Sequence, residues 1–142
     1  LLGICPTASY EGKTLADLVD LGEPVTIIAD SWRIENSVLD LLPLLDSLVG
    51  LDPQAGADRF HGTLIAALAD WTEAAARAQG HDRVALTGGC FLNRVLADGL
   101  AAELRRREIE PLLPRRAPPG DGGIALGQAL VAGRRALVGA LD

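Results

Sequence analysis

Apolar residues recur at helical spacing in several stretches of the 142-residue chain, and turn residues separate these stretches. The clearest pattern covers 57–79, where apolar residues follow a period close to 3.6 and Gly80 stands at the expected helix end. Leu92–Leu104 predicts a second amphipathic helix, which ends in the basic cluster Arg105–Arg107, where cations suit the helix dipole. Further helices are predicted over 14–21, over Leu39–Val49 with Pro43 in its first turn, and over Ile124–Leu137, the last helix of the sequence.

Short apolar runs between these helices predict the strands. The β-branched run Pro24–Ala29 predicts a strand with Trp32–Glu35 as its hairpin partner, and 50–56 is expected to be a linker. Arg83–Thr87 and Ile109–Leu113 predict two more strands, one on each side of the second amphipathic helix. The order strand, helix, strand, helix predicts an α/β fold with at least one parallel strand pair.

Composition narrows the classes of function. With 49% hydrophobic and 23% charged residues, we expect residues 1–142 to form one globular domain. The net charge of -6 speaks against nucleic acid as a partner, and no apolar run reaches the roughly 20 residues that span a bilayer. Cys5 and Cys90 match no C-x-x-C spacing, which favours a reducing, cytoplasmic location. Because the chain starts at Leu1 and contains no Met, we expect it to be a piece of a longer protein.

Two glycine-pair turns carry the candidate chemistry, and each leads into a predicted helix. Gly88 and Gly89 follow a strand, where glycines let a phosphate or ribose approach the backbone, and Asn93 could donate its amide to the same anion. Asp121, followed by Gly122 and Gly123, presents a carboxylate suited to a metal or a phosphate site. A plain strand-to-helix turn explains the first stretch equally well, and a helix cap explains the second.

Other polar residues give weaker signals. Glu11, beside Gly12, could accept hydrogen bonds from ribose hydroxyls or could be a surface carboxylate at a helix entry. His61 and His81 lie in no H-x-x-x-H spacing, and His61 fits a buried structural histidine better than a metal ligand. The chain contains no P-loop, no G-x-S-x-G sequence and no clustered Cys/His set, which excludes the common P-loop NTPases, α/β-hydrolases and zinc modules. The arginines at 105–107 and at 115–116 are interpreted as solvated ends.

Four segments together resemble the C-terminal end of the HypF carbamoyltransferase family, which acts in [NiFe]-hydrogenase maturation. They cover most of the chain in the family's order, and they are Ala8–Gly12, Arg59–His61, Leu86–Arg94 and Pro114–Ala129. The resemblance implies the second lobe of an actin-like, ribonuclease-H-like carbamoyl-transfer domain, related to the tRNA threonylcarbamoyl transferase TsaD. It also implies carbamoyl phosphate and ATP as substrates, a carbamoyl-adenylate intermediate, and transfer of carbamoyl to the C-terminal cysteine of a HypE-like acceptor protein.

The resemblance also implies roles for single residues. Gly88, Gly89 and Asn93 would hold nucleotide phosphate, and Glu11 and Gly12 would lie near the ribose. Asp121 would be a ligand of a divalent metal ion, and Gly122 and Gly123 would let the nucleotide approach the last helix.

The chain departs from the family pattern at several points. The H-x-x-x-H pair that completes the family's metal site is absent, and Gly120 stands where HypF usually has Asn. We therefore expect half of a site, a missing N-terminal lobe, and an isolated chain that folds but neither transfers carbamoyl nor holds metal tightly. An apolar face made for the missing lobe could also make the piece dimerise. The alternatives are a non-catalytic nucleotide- or partner-binding half-domain, a fragment of a TsaD-like tRNA-modifying enzyme, and a sugar-kinase-like member of the same superfamily.

Overall fold

Two helices that pack on each other and on a short parallel sheet form the centre of the fold in this computed structural model. The structure describes residues 26–139, together with Leu2 and Val19. The elements, in chain order, are β1 (Arg33–Glu35), β2 (Val38–Asp40), α1 (Leu42–Ser47), α2 (Pro53–Gln79), β3 (Arg83–Ala85), α3 (Arg94–Arg106), β4 (Glu110–Leu112) and α4 (Ile124–Gly139), with 3-10 turns at Gly89–Leu92 and Asp121–Gly123. Of the helix predicted over 14–21, only Val19 lies among the described residues, and it is helical.

The long helix α2 begins earlier than predicted because of its cap. The Asp52 carboxylate accepts hydrogen bonds from the N–H groups of Gln54 and Ala55, both at 3.1 Å, and Pro53 occupies the first turn, where its missing N–H costs nothing. The helix therefore starts inside the predicted linker 50–56. At the other end Gly80 adopts φ +69°, a left-handed helix cap, so the predicted end is confirmed.

The core lies between α2, α3 and the β3–β4 sheet. The two strands are parallel, with Arg83 opposite Glu110 and Ala85 opposite Leu112, which confirms the predicted parallel pair and the α/β class. Each strand is shorter than its predicted run. The buried side chains of this core are Ala69, Ala76, Leu86, Leu100, Ala101, Leu104 and Ile109.

The hairpin occurs later in the chain than predicted. Strand β1 pairs antiparallel with β2, not with the 24–29 segment, and residues 26–28 are in no strand. Asn36 and Ser37 form the turn with φ values of 51° and 65°, the conformation of a tight two-residue hairpin loop. The prediction was wrong because it did not take Asn36 and Ser37 as a turn, although asparagine tolerates positive φ.

The Leu39–Val49 helix is also shorter than predicted. Residues Val38–Asp40 are used in β2, so α1 covers only Leu42–Ser47. Asp40 ends the strand and accepts a hydrogen bond from the Leu42 N–H at 2.9 Å. Pro43 lies in the first turn of α1, as predicted, and Leu44 is fully buried.

Arg107, just after α3, joins this helix to α2. Its Nη1 atom lies 2.6 Å from an Asp70 carboxylate oxygen and 2.9 Å from one of Glu73, and its Nε donates to Glu103 at 3.1 Å. The Trp32 indole N–H donates to the other Asp70 oxygen at 3.2 Å. The interpretation of this arginine as a solvated helix end was therefore wrong, whereas Arg105 and Arg106 are exposed in the last turn of α3 as predicted.

The last helix, α4, extends from the Asp121–Gly123 turn. The described side chains along it, from Ile124 to Leu137, are exposed. Gly127 has no neighbouring atom within 4 Å of the position of an added Cβ, so no other element packs closely on it within the described residues. Among the described residues, no helix is long and apolar enough to cross a membrane.

Candidate functional site

The two glycine-pair turns, predicted separately from the sequence, lie against each other. The Gly88 N–H donates to the Pro119 carbonyl oxygen at 2.7 Å, and the Thr87 hydroxyl donates to the same oxygen at 3.2 Å. A Cβ added to Gly120 would lie 3.3 Å from the Gly89 Cα. The two loops therefore form one surface, although some thirty residues separate them in sequence.

A cavity of about 520 Å³ lies between these loops. Its walls include Gly88 and Gly89 on one side and Asp121 and Gly123 on the other, so four of the predicted site residues are brought together. Gly88 has φ +113° and ψ 160°, a conformation that is open essentially only to glycine. Because glycine carries no side chain, the backbone itself forms the wall of the cavity there.

The turn at Gly88 and Gly89 does not lead directly into an α-helix. Residues Gly89–Leu92 form a 3-10 turn, and α3 begins only at Arg94, later than predicted. The first hydrogen bond of the turn runs from the Phe91 N–H to the Gly88 carbonyl at 3.1 Å, so the N–H groups of Gly89 and Cys90 have no partner inside the turn. Gly89 lines the cavity, so its backbone N–H can bind an oxygen of an anion there.

Asp121 is exposed at the start of its own 3-10 turn. Gly120, which has no side chain, holds the N-cap position of that turn, so Asp121 is not the N-cap residue there. Gly123 allows the loop to close, because an added Cβ would lie 2.8 Å from the Pro118 carbonyl oxygen. Gly122 lies next to the Pro118 ring and is not part of the cavity wall. Asp121 thus lies in the cavity wall with an exposed side chain.

Asn93 lies one residue after the first 3-10 turn and is only 3% exposed. Its side-chain oxygen accepts the Leu96 N–H at 3.1 Å, which caps α3, and its amide nitrogen lies 2.9 Å from His61 Nε2. These bonds use the side-chain oxygen and one of the two amide hydrogens. Asn93 is absent from the cavity wall, and its predicted contact with phosphate stays a prediction.

His61 is fully buried in α2, as its structural interpretation predicted. Its Nδ1 lies 3.0 Å from the Ala57 carbonyl oxygen, and a carbonyl can only accept, so Nδ1 carries the proton. Nε2 is then free to accept from the Asn93 amide. Burial lowers the pKa of His61 below its ordinary value, against the smaller opposing effects of the Ala57 bond and the Asp58 charge.

A family described as "Carbamoyltransferase, Kae1-like Domain, second subdomain" matches residues 1–128 of the chain. This chain belongs to the HypF carbamoyltransferase family. Carbamoyltransferase HypF of Rhizobium leguminosarum bv. viciae is 47% identical over 131 residues, a stretch that covers 90% of this chain and 17% of that protein. Carbamoyltransferase HypF2 of Cupriavidus necator is 49% identical over 111 residues, which cover 77% of this chain and 14% of that protein.

Solved HypF structures share the fold. A full-length HypF in its phosphate- and nucleotide-bound form superposes with a TM-score of 0.79 and 26% identity, over 94% of this chain and 19% of that one. The HypF of T. kodakarensis gives a TM-score of 0.76 at 22% identity. The chain therefore spans less than a fifth of each of these four HypF proteins.

The described residues do not by themselves form the metal site that the HypF resemblance implies. Among them, no three His, Cys, Asp or Glu side chains lie close enough together to hold a metal ion. Asp121 fits one metal ligand, since it is exposed and lies in the cavity wall. Glu11 and Gly12, predicted near the ribose, lie outside the described residues.

Two features of the HypF-type site were not predicted. The Pro119 carbonyl joins the loops, and because every residue carries such a group, nothing in the sequence singles it out. The hydrogen bond between His61 and Asn93 joins residues far apart in sequence, and each of them could be explained from the sequence without reference to the other. An asparagine before a helix together with a buried histidine was the available signal, but only the fold shows that they meet.

Proposed function

We propose that this chain is the nucleotide-binding lobe of a HypF-type carbamoyltransferase. In the proposed reaction, carbamoyl phosphate and ATP give carbamoyl-adenylate, and the carbamoyl group is then transferred to the C-terminal cysteine of a HypE-like acceptor protein. The observation that carries the proposal is the contact of the two glycine turns around one cavity. The similarity to a HypF structure that holds phosphate and nucleotide supports it.

The chain's own residues would bind and orient the nucleotide. Gly88 and Gly89 would let the phosphates approach the backbone, where the N–H groups of Gly89 and Cys90 can donate to phosphate oxygens. Gly122 and Gly123 keep the opposite loop compact against Pro118. Preorganised donors of this kind stabilise charge that develops on the phosphate during transfer.

Asp121 would contribute one ligand to a divalent metal ion. Bound to the nucleotide phosphates, such an ion would neutralise charge as a Lewis acid. The remaining ligands would come from the missing N-terminal lobe, so we expect metal binding by this chain alone to be weak.

The sheet supports the proposal of a missing lobe. The Leu86 N–H donates to the Leu112 carbonyl and the Glu110 N–H to the Asp82 carbonyl, so Leu86 and Asp82 direct their backbone polar groups toward β4. Because these directions alternate along a strand, the N–H groups of Arg83, Ala85 and Thr87 face away from β4. Among the described residues, no third strand pairs there.

The opposite edge of the sheet is closed by a proline. Pro111, the central residue of β4, has no N–H, and proline in a sheet is confined to edge strands. A further strand would therefore add beside β3. Parallel sheets are normally covered on both faces. Exposed Leu126, Leu130 and Leu137 on α4 give a second apolar surface for the missing lobe.

The location and partners follow from the proposed reaction. We place the protein in the cytoplasm, and the exposed free thiol of Cys90 fits a reducing compartment. Neither nucleic acid nor a membrane is expected as a partner, since the chain carries a net charge of -6.

The proposal can be tested by reconstitution. The 142-residue chain is mixed with R. leguminosarum HypF truncated before the matching C-terminal stretch, and carbamoylation of a HypE tail peptide is followed by mass spectrometry. We expect no carbamoylation by either piece alone and measurable carbamoylation by the mixture. Carbamoylation by the isolated chain, or a stable complex of the two pieces without activity, would contradict the proposal.

A further inference from the structure

The buried pair His61 and Asn93 connects α2 to the candidate nucleotide loop. Asn93 is at once the residue that follows the Gly89–Leu92 turn and the N-cap of α3. Its backbone N–H donates to the Cys90 carbonyl at 3.1 Å, which closes the turn, and its side-chain oxygen accepts from Leu96. A change in the backbone conformation of Asn93 would disturb both the Gly89–Leu92 turn and the first turn of α3.

His61 holds that asparagine in one orientation. The Ala57 carbonyl requires a proton on Nδ1, so Nε2 is an acceptor and selects the NH₂ end of the Asn93 amide at 2.9 Å. The amide oxygen is thereby directed at Leu96. A protonated His61 would present a second N–H to the amide NH₂ and lose this bond.

We infer that His61 is a positioning residue that holds Asn93, and through it the Gly89–Leu92 turn, in the conformation that binds nucleotide phosphate. The inference rests on the proposed function. Both side chains are buried, at 0% and 3% exposure, so His61 acts on the cavity through Asn93 and not by touching a ligand.

The surroundings of His61 decide how it responds to pH. From α2, Asp58 is the charged group that acts on the ring, and Phe60 lies edge-on to it with 5.5 Å between ring centroids. One Asp58 oxygen is buried and has no hydrogen-bond partner among the described residues. From α3, the ring meets the neutral amide of Asn93. Neutral His61 is therefore the form that the fold accommodates.

The test compares two substitutions at His61 with one at a control histidine. His61→Gln retains an acceptor that can face Asn93 but does not titrate, whereas His61→Leu retains bulk and loses the acceptor. His81→Gln is the control, because His81 is exposed and lies outside the cavity wall. ATP binding to each 142-residue variant is measured by calorimetry at about pH 8 and about pH 5.5, on either side of the ordinary histidine pKa.

We expect wild type, His61→Gln and His81→Gln to bind ATP within about threefold of one another at the higher pH, and His61→Leu about tenfold more weakly. As the pH falls toward the lowered pKa of His61, the affinity of wild type and of His81→Gln for ATP should fall relative to that of His61→Gln. Comparing the variants at the same pH cancels the titration of ATP itself. Equal affinity of His61→Leu and wild type, or binding by His61→Gln that is as weak as that of His61→Leu, would overturn the inference.

Hydrogen exchange of the free proteins separates this inference from the proposed function. In His61→Leu, amides of the Gly89–Leu92 turn should exchange about tenfold faster while amides in the second half of α2 stay unchanged. If wild type binds no ATP but this exchange pattern is seen, the proposed function fails and the positioning role of His61 stands. Unchanged exchange in the turn would refute the positioning role whatever ATP does.

Discussion

At the scale of single residues, the site depends on atoms that carry no chemical signal in the sequence. Gly88 and Gly89 matter for the side chains they lack, and Pro119 contributes only its carbonyl oxygen. Among the described residues predicted for the site, Asp121 is the one with a charged side chain that lines the cavity. Gly120, and not Asp121, holds the N-cap position of the turn that follows.

The buried histidine makes stability depend on pH. Burial lowers the pKa of His61 in the folded chain, so below about pH 6.5 the unfolded state takes up a proton that the folded state resists. We expect the free energy of unfolding to be highest above that pH and to fall as pH decreases toward the lowered pKa. Urea unfolding at a series of pH values measures this, and His61→Gln should show a smaller decrease than wild type. A larger decrease in His61→Gln would contradict the assignment.

At the scale of elements, an ion-pair network joins α3 to α2. Arg107 is surrounded by Asp70, Glu73 and Glu103, and only 20% of its side chain is exposed. Removing this charge would take one cation away from three carboxylates, of which Glu73 keeps a salt bridge with Arg77 and Glu103 keeps one with Arg106. The network thus fixes the end of α3, and with it the start of β4.

Arg107→Gln should therefore destabilise the fold by about 1 to 2 kcal/mol, between the values typical of surface and buried pairs. Arg105→Gln is the matched control, because Arg105 lies in the exposed last turn of α3 and should change stability by less than about 0.5 kcal/mol. Chemical denaturation of both variants measures the difference. Equal stabilities of the two variants would show that the network does not stabilise the fold.

The outcome for each element shows what the sequence could predict. The helices α2 and α3 and the parallel strands were predicted because their apolar residues recur with a regular period and pack into one core. The hairpin was misplaced because its register depends on the Asn36–Ser37 turn, and three-residue strands are too short to show a period. Both glycine turns were found, yet their contact was not, because it depends on how distant segments pack.

At the scale of the whole molecule, the chain has surfaces that its own described residues leave uncovered. Among the described residues, no strand pairs with the outer edge of β3, the apolar side chains of α4 are exposed, and the chain spans 17% of the R. leguminosarum HypF. These observations agree with one lobe of a larger protein. We propose that the missing lobe pairs with this edge of β3, at the start of the segment that leads to the cavity.

Strand addition beside β3 makes a specific prediction. Ala85→Pro removes an N–H that faces away from β4, so β3–β4 pairing should remain while pairing with the missing lobe is lost. Ala85→Val keeps the N–H and favours strand conformation, which makes it the matched control. Binding of each variant to the truncated R. leguminosarum HypF is measured by calorimetry. We expect Ala85→Pro to bind the truncated HypF about tenfold more weakly than wild type, and Ala85→Val to bind it as wild type does. Equal binding by both variants would rule out strand addition at this edge.

A side chain that fills the cavity should prevent nucleotide from binding there. An added Cβ at Gly89 meets no atom within 4 Å, so Gly89→Leu should leave the fold intact while its side chain occupies space in the cavity. Gly127→Leu is equally unobstructed and lies on α4, outside the cavity wall, which makes it the control. In ATP titrations of the 142-residue chain, we predict saturable binding by wild type and Gly127→Leu, and affinity at least about tenfold weaker for Gly89→Leu. Absence of ATP binding by wild type, or equal affinity of Gly89→Leu, would contradict the account of this chain as a nucleotide-binding lobe.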